Sequence, residues 1–198
     1  PPRSKRSFMD VYIALVHFPV LNKHGEQVAT AVTNLDIHDL ARTARTFGVT
    51  GYTIVTPVAQ QQSLVTRIVR HWNEGEGTNY NPLRSEAFRI VDVAPDIESV
   101  INSIEKRTGE RPMTVVTGAQ LQEKCISYGD LRERLQTQSG SCLILFGTGW
   151  GLVGEWIEGC DYRLPGINAA SPENTYNHLS VRAAVAVILD RLLGQRDL

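Results

Sequence analysis

Apolar runs rich in strand formers alternate with segments of helical periodicity along almost the whole chain. Strands are predicted at 11–16, 52–56, 88–93, 113–116 and 142–146. Helices are predicted at 37–47, 59–72, 96–108, 130–138 and 177–193. This alternation predicts an α/β fold with a mostly parallel sheet and helices on both faces. In such sheets ligands bind outside the carboxyl ends of the strands, so functional residues are expected there.

The segments between these elements divide the chain into a short tail and one domain. Residues 1–10 are polar, basic and proline-led, which predicts a linker or tail, and residues 11–198 form the predicted domain. Asn34 or Asp36 is the candidate cap of the first helix. Residues 73–85 are predicted to be a polar loop, with a substrate lid as an alternative to plain surface. The stretch from the glycine-rich loop to Gly166 is predicted to be irregular.

Composition excludes several classes of protein. No run approaches the roughly 18 apolar residues of a membrane helix, and the chain does not start with a signal-peptide pattern. Cys125, Cys142 and Cys160 are widely spaced and odd in number, so neither a disulfide framework nor a metal site is predicted. We therefore expect a soluble, cytoplasmic protein. The net charge of −1 argues neither for nor against a nucleic-acid partner.

Residues 149–154 match the glycine pattern of dinucleotide-binding loops and follow a predicted strand. In that fold the pattern belongs to the first strand–helix unit, but here it comes late in the chain. The acidic residue expected about 20 positions further on also has no good candidate, because Glu173 lies in a predicted loop. Nicotinamide binding is therefore disfavoured.

Three segments in order resemble the motifs of the SPOUT superfamily of knotted RNA methyltransferases. Residues 36–49 resemble the first motif, with Asp36 in place of its asparagine and Arg42 six residues later. Residues 143–152 resemble the second, without its usual glutamate. Residues 164–166, followed by residues 176–186, resemble the third. Within the superfamily the chain resembles the small SAM-dependent RNA methyltransferases that are sometimes fused to a tRNA methyltransferase.

The resemblance implies a C-terminal deep trefoil knot and an S-adenosylmethionine site, both within roughly residues 113–198. It also implies a homodimer formed through the C-terminal helix and knot, and a fused upstream tRNA-modifying domain as a further partner. Glycines in the site are expected to let backbone groups approach the cofactor closely. The expected cofactor-binding residues are Thr117, Gly118, Phe146, Gly147, Thr148, Gly149, Gly151, Leu164, Pro165, Gly166, Ile167, His178, Leu179 and Ser180.

The resemblance implies methyl transfer to RNA, with tRNA favoured as the substrate. Arg42 and Ser180 are the expected catalytic residues, because a guanidinium can hold an RNA phosphate and orient the acceptor. The expected substrate-binding residues are His17, Asp36, Arg42 and Arg45. Asp36 is expected to cap its helix, with orienting Arg42 or acting as a base as the alternatives. Ribose 2′-O transfer ranks ahead of guanine N1-type base methylation. The alternative class is a non-catalytic module that binds the cofactor or RNA and serves for dimerisation or docking.

Overall fold

Six parallel strands form the central sheet of the computed structural model, which describes residues 8–196. The strands are β1 (Asp10–Val16), β2 (Val20–Leu21), β3 (Gln27–Val28), β4 (Gly51–Val55), β5 (Val91–Ala94), β6 (Met113–Thr117), β7 (Ser141–Gly147) and β8 (Tyr162–Leu164). The helices are α1 (Asn34–Thr46), α2 (Ala59–Glu74), α3 (Gly77–Tyr80), α4 (Pro82–Phe88), α5 (Ile97–Thr108), α6 (Tyr128–Thr137), α7 (Gly154–Gly159) and α8 (Val181–Leu193). The first seven residues of the predicted tail lie outside the described residues.

The order across the sheet is β5-β4-β1-β7-β6-β8, and every neighbouring pair runs parallel. The short strands β2 and β3 form a separate antiparallel pair. Because β1 lies in the middle of the sheet, its alternate side chains enter two different cores. Ile13 and Leu15 pack with residues of α1, α6 and α8, whereas Ala14 and Val16 pack with residues of α5. The predicted α/β fold with helices on both faces is confirmed.

The cap of α1 differs from both residues that the sequence suggested. Thr33 is the cap, and its hydroxyl oxygen accepts a hydrogen bond from the backbone N–H of Asp36 at 3.1 Å. The same hydroxyl donates to Oδ2 of Asp36 at 2.6 Å. A polar residue three positions after a cap faces back towards it, which explains this pairing. The second carboxylate oxygen of Asp36 is therefore left for another partner.

The predicted loop at 73–85 is wrong, because α2 extends to Glu74 and the two short helices α3 and α4 follow it. Asn81 caps α4 by accepting a hydrogen bond from the backbone N–H of Arg84 at 3.0 Å, and Pro82 opens the helix. Asparagine followed by proline is common in loops, but the same pair suits a helix start. Phe88 consequently ends α4 instead of opening a strand, and β5 begins at Val91.

The C-terminal third also contains more regular structure than the sequence predicted. Helix α7 and strand β8 lie in the stretch expected to be irregular, and β8 extends the sheet next to β6. The last helix begins at Val181 instead of Asn177, because Ser180 caps it by accepting from the N–H of Ala183. Within residues 8–196 no helix is long and apolar enough to cross a membrane.

Candidate active site

A cavity of about 800 Å³ opens at the carboxyl ends of β1, β6 and β7. Its lining comes from the residues that follow these strands, from the loop after β8 and from the segment that precedes α8. This volume lies in the range of small-molecule sites, and the position is the edge at which parallel sheets bind ligands. The cavity is therefore the candidate active site.

The cavity brings together nearly all of the residues predicted to bind a cofactor. The predicted residues that line it are Thr117, Gly118, Phe146, Gly147, Thr148, Gly149, Gly151, Pro165, Gly166, Ile167, His178, Leu179 and Ser180. Leu164 is the exception, because it is the last residue of β8 and its side chain is fully buried in the core. The expected role of Leu164 in cofactor binding stays a prediction.

Two glycines of the lining are needed because loops pack closely on each other. A Cβ atom at Gly166 would lie 2.1 Å from the carbonyl oxygen of Ala119, which no side chain allows. Gly149 has a φ of +59°, and its Cβ would lie 2.9 Å from the carbonyl oxygen of Leu21. At these two positions the obstacle is protein backbone, so the glycines shape the cavity wall. Whether they also let the cofactor approach closely, as the sequence led us to expect, stays a prediction.

The two ends of the cavity differ in chemistry. The end near β6, β7 and β8 has glycine-bearing loops and apolar side chains, including Phe146, Ile167 and Leu179. The end near β1 receives His17 from that strand's end, Asp36 from α1 and Arg182 from α8. Apolar surfaces with exposed backbone groups suit a heteroaromatic ring, and ionisable groups suit a polar reacting centre. The residues present therefore fit an adenosyl group at one end and its reaction partner at the other.

A chain of hydrogen bonds connects His17 to the loop after β7. Nδ1 of His17 lies 2.9 Å from Oγ1 of Thr30, and Oγ1 of Thr30 contacts Oγ1 of Thr148. Oγ1 of Thr148 donates to the carbonyl oxygen of Val16 at 2.9 Å. Nε2 of His17 is buried and has no hydrogen-bond partner among residues 8–196. The imidazole is thus fixed at one nitrogen and free at the other.

Burial sets the charge of this imidazole. His17 is only 1% exposed, and desolvation lowers its pKa to about 4, although the nearby carboxylate of Asp36 opposes that shift. His17 is therefore neutral at pH 7.

Asp36 and Arg182 form the ion pair at this end of the cavity. Nη1 of Arg182 donates to Oδ1 of Asp36 at 2.8 Å, and its Nε lies 3.5 Å from Oδ2 of Asp39. Asp36 is buried, whereas 34% of the Arg182 side chain is exposed. The expected pairing of Asp36 with Arg42 is wrong, because Arg182 occupies its free oxygen. Sequence analysis missed Arg182. The available signal was an arginine in the first turn of a helix that is otherwise apolar as far as Leu189.

The two arginines that the sequence predicted, Arg42 and Arg45, lie outside the large cavity. Arg42 lines a smaller, more open cavity of about 460 Å³ between α1 and α8, which Arg182 also lines. Arg45 donates through its guanidinium to the carboxylate of Glu86 on α4. The structure therefore places Arg42 beside the candidate site and leaves Arg45 as a surface ion-pair partner.

Comparison with known sequences finds a match along nearly the whole chain. The model of a family described as SAM-dependent RNA methyltransferase matches residues 10–194. A tRNA (guanine-N(1)-)-methyltransferase of Oleidesulfovibrio alaskensis is 42% identical over 190 residues, which cover 96% of this chain and 43% of that protein. An uncharacterized protein of Aquifex aeolicus is 39% identical over 186 residues, which cover 94% of this chain and 89% of that protein. The chain thus spans less than half the length of the methyltransferase from Oleidesulfovibrio alaskensis.

Solved structures share the fold at low identity. The SpoU methyltransferase AviRb of Streptomyces viridochromogenes, in complex with AdoMet, aligns with a TM-score of 0.55 and 17% identity. The alignment covers 98% of this chain and 58% of AviRb. At this identity the likeness concerns the arrangement of strands and helices alone.

Proposed function

Because this chain belongs to the family of SAM-dependent RNA methyltransferases, we propose that it transfers a methyl group from S-adenosylmethionine to tRNA. The family match confirms the resemblance on which the sequence analysis relied, and S-adenosylmethionine is the cofactor of that family. The observation that carries the proposal is the coincidence of the family match with the cavity, whose lining includes nearly every predicted cofactor residue.

The apolar end of the cavity is the proposed cofactor site. Phe146, Ile167 and Leu179 would surround the adenine, and backbone groups of the loops after β6, β7 and β8 would bind its polar atoms. Bound there, S-adenosylmethionine supplies a methyl group on a positively charged sulfur. Ser180 caps α8 through its oxygen, so its hydroxyl hydrogen remains able to donate to a bound ligand.

Guanine N1 is the proposed methyl acceptor, ahead of the ribose 2′-oxygen that the sequence analysis ranked first. The support is the functional name of the relative from Oleidesulfovibrio alaskensis. That protein is more than twice as long as the matched segment, so its name also covers residues outside the match. A direct product analysis must therefore decide between the two acceptors.

The proposed RNA contacts lie between the two cavities. Arg182 lines both, and the carboxylates of Asp36 and Asp39 hold two of its three nitrogens in place. A guanidinium oriented in this way is suited to an RNA phosphate or to the polar edge of the target base. Arg42, in the adjacent cavity, provides a second cation for the RNA backbone.

The knot and the homodimer remain proposals for the C-terminal segment. The segment around Gly166 contacts the loop after β6, since the N–H of Gly166 donates to the carbonyl of Leu121 at 3.0 Å. Asn177 also donates to the carbonyl of Ala119 at 2.8 Å. Contact between these two segments is what the proposed knot requires. Ala183 and Ala186 of α8 line the smaller cavity together with Arg42, so a second copy packed on α8 would share this surface with the RNA. Light scattering on the purified protein would give the oligomeric state.

Methyl transfer is tested with purified protein, unmodified tRNA transcripts and isotopically labelled S-adenosylmethionine. Nucleoside digestion and mass spectrometry should detect labelled 1-methylguanosine. Labelled 2′-O-methylnucleosides would assign the acceptor to ribose instead. Saturable cofactor binding by calorimetry without any methylated product, on tRNA or ribosomal RNA, would favour the docking module.

A further inference from the structure

Nε2 of His17, which has no hydrogen-bond partner among residues 8–196, points to a catalytic role at the polar end of the cavity. We propose that Nε2 of His17 accepts the proton of the methyl-accepting group during transfer. This inference rests on the proposed function, since it concerns a group at the polar end of the same cavity. It assigns to His17 a specific atom and a specific proton, beyond the substrate contact expected from the sequence.

The hydrogen bonds around His17 determine which of its nitrogens carries the ring proton. The hydroxyl of Thr148 has one hydrogen, which it donates to the carbonyl of Val16. Thr148 therefore accepts from Thr30, and Thr30, having donated its only hydrogen, accepts from Nδ1 of His17. An alternative acceptor for Thr30, the carbonyl of His17, lies at 3.5 Å, which is too long to compete. Nδ1 is thus protonated, and Nε2 carries a lone pair.

That lone pair has no partner within the described part of the chain. The Nε2 atom is buried, and the residue lines the large cavity at the end of β1. A buried polar atom without a hydrogen bond costs free energy, which a ligand N–H or O–H at this point would recover. The nearby ionisable groups that line the same end are Asp36, from α1, and Arg182, from α8. These two are paired with each other, so neither occupies Nε2.

The position of His17 in the sheet places it next to the proposed cofactor site. Its strand, β1, pairs directly with β7, and Val16 lies opposite Gly147 in the register. Gly147 opens the loop that forms one wall of the cavity. A methyl acceptor positioned between the β7 loop and the ion pair of Asp36 and Arg182 would therefore lie beside His17.

The proposed step conserves atoms and charge. The lone pair of the acceptor atom forms the new bond to the methyl carbon, the carbon–sulfur bond breaks, and sulfur retains that bond's electron pair. The proton of the acceptor passes to Nε2, and the neutral imidazole becomes an imidazolium. The positive charge that leaves sulfur thus appears on His17, where the carboxylate of Asp36 is close enough to favour it.

A weakly basic imidazole is compatible with this step. Burial lowers the pKa of His17 to about 4, which keeps Nε2 unprotonated at neutral pH. The acceptor atom becomes strongly acidic as it bonds to the methyl group, so its proton moves readily even to a weak base. We therefore expect the proton to leave as the new bond forms, instead of before it.

Two substitutions separate proton acceptance from hydrogen bonding. His17→Asn keeps an amide donor near Thr30 but removes Nε2, and His17→Gln keeps a hydrogen-bond acceptor that cannot take a proton. We expect both to lower kcat by about 100-fold or more while the Kd for S-adenosylmethionine changes less than about threefold. His24→Asn, at an exposed histidine in the turn between β2 and β3, is the matched control and should leave kcat unchanged. Full activity of His17→Gln would refute proton acceptance.

The tautomer is measured independently of activity on the wild-type protein. Two-bond ¹H–¹⁵N correlation spectra of the histidine rings, with His17→Asn used for assignment, should show Nδ1 protonated and Nε2 unprotonated at pH 7. Thr30→Val removes the acceptor of Nδ1–H and should shift the ring towards the other tautomer. Protonated Nε2 in the wild-type protein would refute the role of His17 even if methyl transfer is observed. The expected tautomer without transfer to any RNA would instead refute the proposed function, and the role of His17 with it.

Discussion

Acidification should lower the free energy of unfolding through protonation of His17, and His17→Gln should remove that contribution. The pKa of His17 is about 4 in the folded protein, against 6.5 for an ordinary histidine, because burial disfavours its charged form. The unfolded chain therefore binds a proton more readily than the folded chain. The free energy of unfolding therefore decreases as the pH falls from above 6.5 towards 4.

The magnitude follows from these two pKa values. Linkage gives a cost of about 0.2 kcal/mol at pH 7 and about 2 kcal/mol at pH 5 for this single group. The loss between these two pH values is therefore about 1.8 kcal/mol, which urea unfolding followed by tryptophan fluorescence can resolve. His38 has a pKa lowered by burial as well, so part of the total loss will belong to it.

His17→Gln isolates the contribution of His17, because its amide does not titrate. The free energy of unfolding of the variant should fall by about 1.8 kcal/mol less than that of the wild type between pH 7 and pH 5. Equal losses in both proteins would show that His17 has an ordinary pKa, and the argument from burial would be refuted. His24→Asn should reproduce the wild-type dependence, because that histidine is exposed.

Three further predictions concern the packing at Gly166, the ion pair and the cap of α1. Gly166→Ala places a Cβ 2.1 Å from a backbone carbonyl and should cost about 2 kcal/mol or more in urea unfolding, whereas Gly159→Ala meets open space and should cost less than 1 kcal/mol, about the effect of an ordinary surface change. Arg182→Gln should lower transfer to tRNA at least about tenfold and destabilise the protein by about 1–3 kcal/mol, since it leaves the carboxylate of Asp36 buried without its cation. Adding Asp36→Asn to Arg182→Gln should restore part of the stability but not the transfer. Additive losses of stability in the two single variants and the double variant would argue against the ion pair. Thr33→Ala should cost about 1 kcal/mol of unfolding free energy through loss of the α1 cap, and an unchanged denaturation midpoint would contradict that assignment.

The sequence predicted the sheet well because its strands are buried on both faces. Such strands are continuous apolar runs, and 142–146 and 11–16 stand out on that ground alone. The prediction failed where one local signal has two structural meanings. Asn81 and Pro82 are typical of a loop, yet here they start α4, because Phe88 at its other end is buried in the core. The burial of Phe88, six positions after Pro82, decides between a loop and a helix start, and the residues around Asn81 and Pro82 do not show that burial.

The candidate site was likewise predictable only where its signals are local in the sequence. Glycines and strand ends in the sequence indicate the proposed cofactor end of the cavity, since their signals are contained within a few residues. The polar end depends on pairs that are far apart in the chain: Arg182 meets Asp36 across 146 residues, and Thr148 meets Thr30 across 118. Arg182 was overlooked because nothing near it in sequence shows that a buried carboxylate will be its partner.

These long-range contacts also bear on how the site is formed. The tautomer of His17 depends on Thr148, which reaches Val16 only after β7 has paired with β1. Asp36 acquires its cation only when α8 packs on α1. Both the proton acceptor and the ion pair therefore require the C-terminal third of the chain to be in place on the N-terminal strands. A fragment that ends before β7 would retain His17, Thr30 and Asp36 but would fix neither the imidazole nor the carboxylate, so the proposed methyl transfer depends on the completed fold.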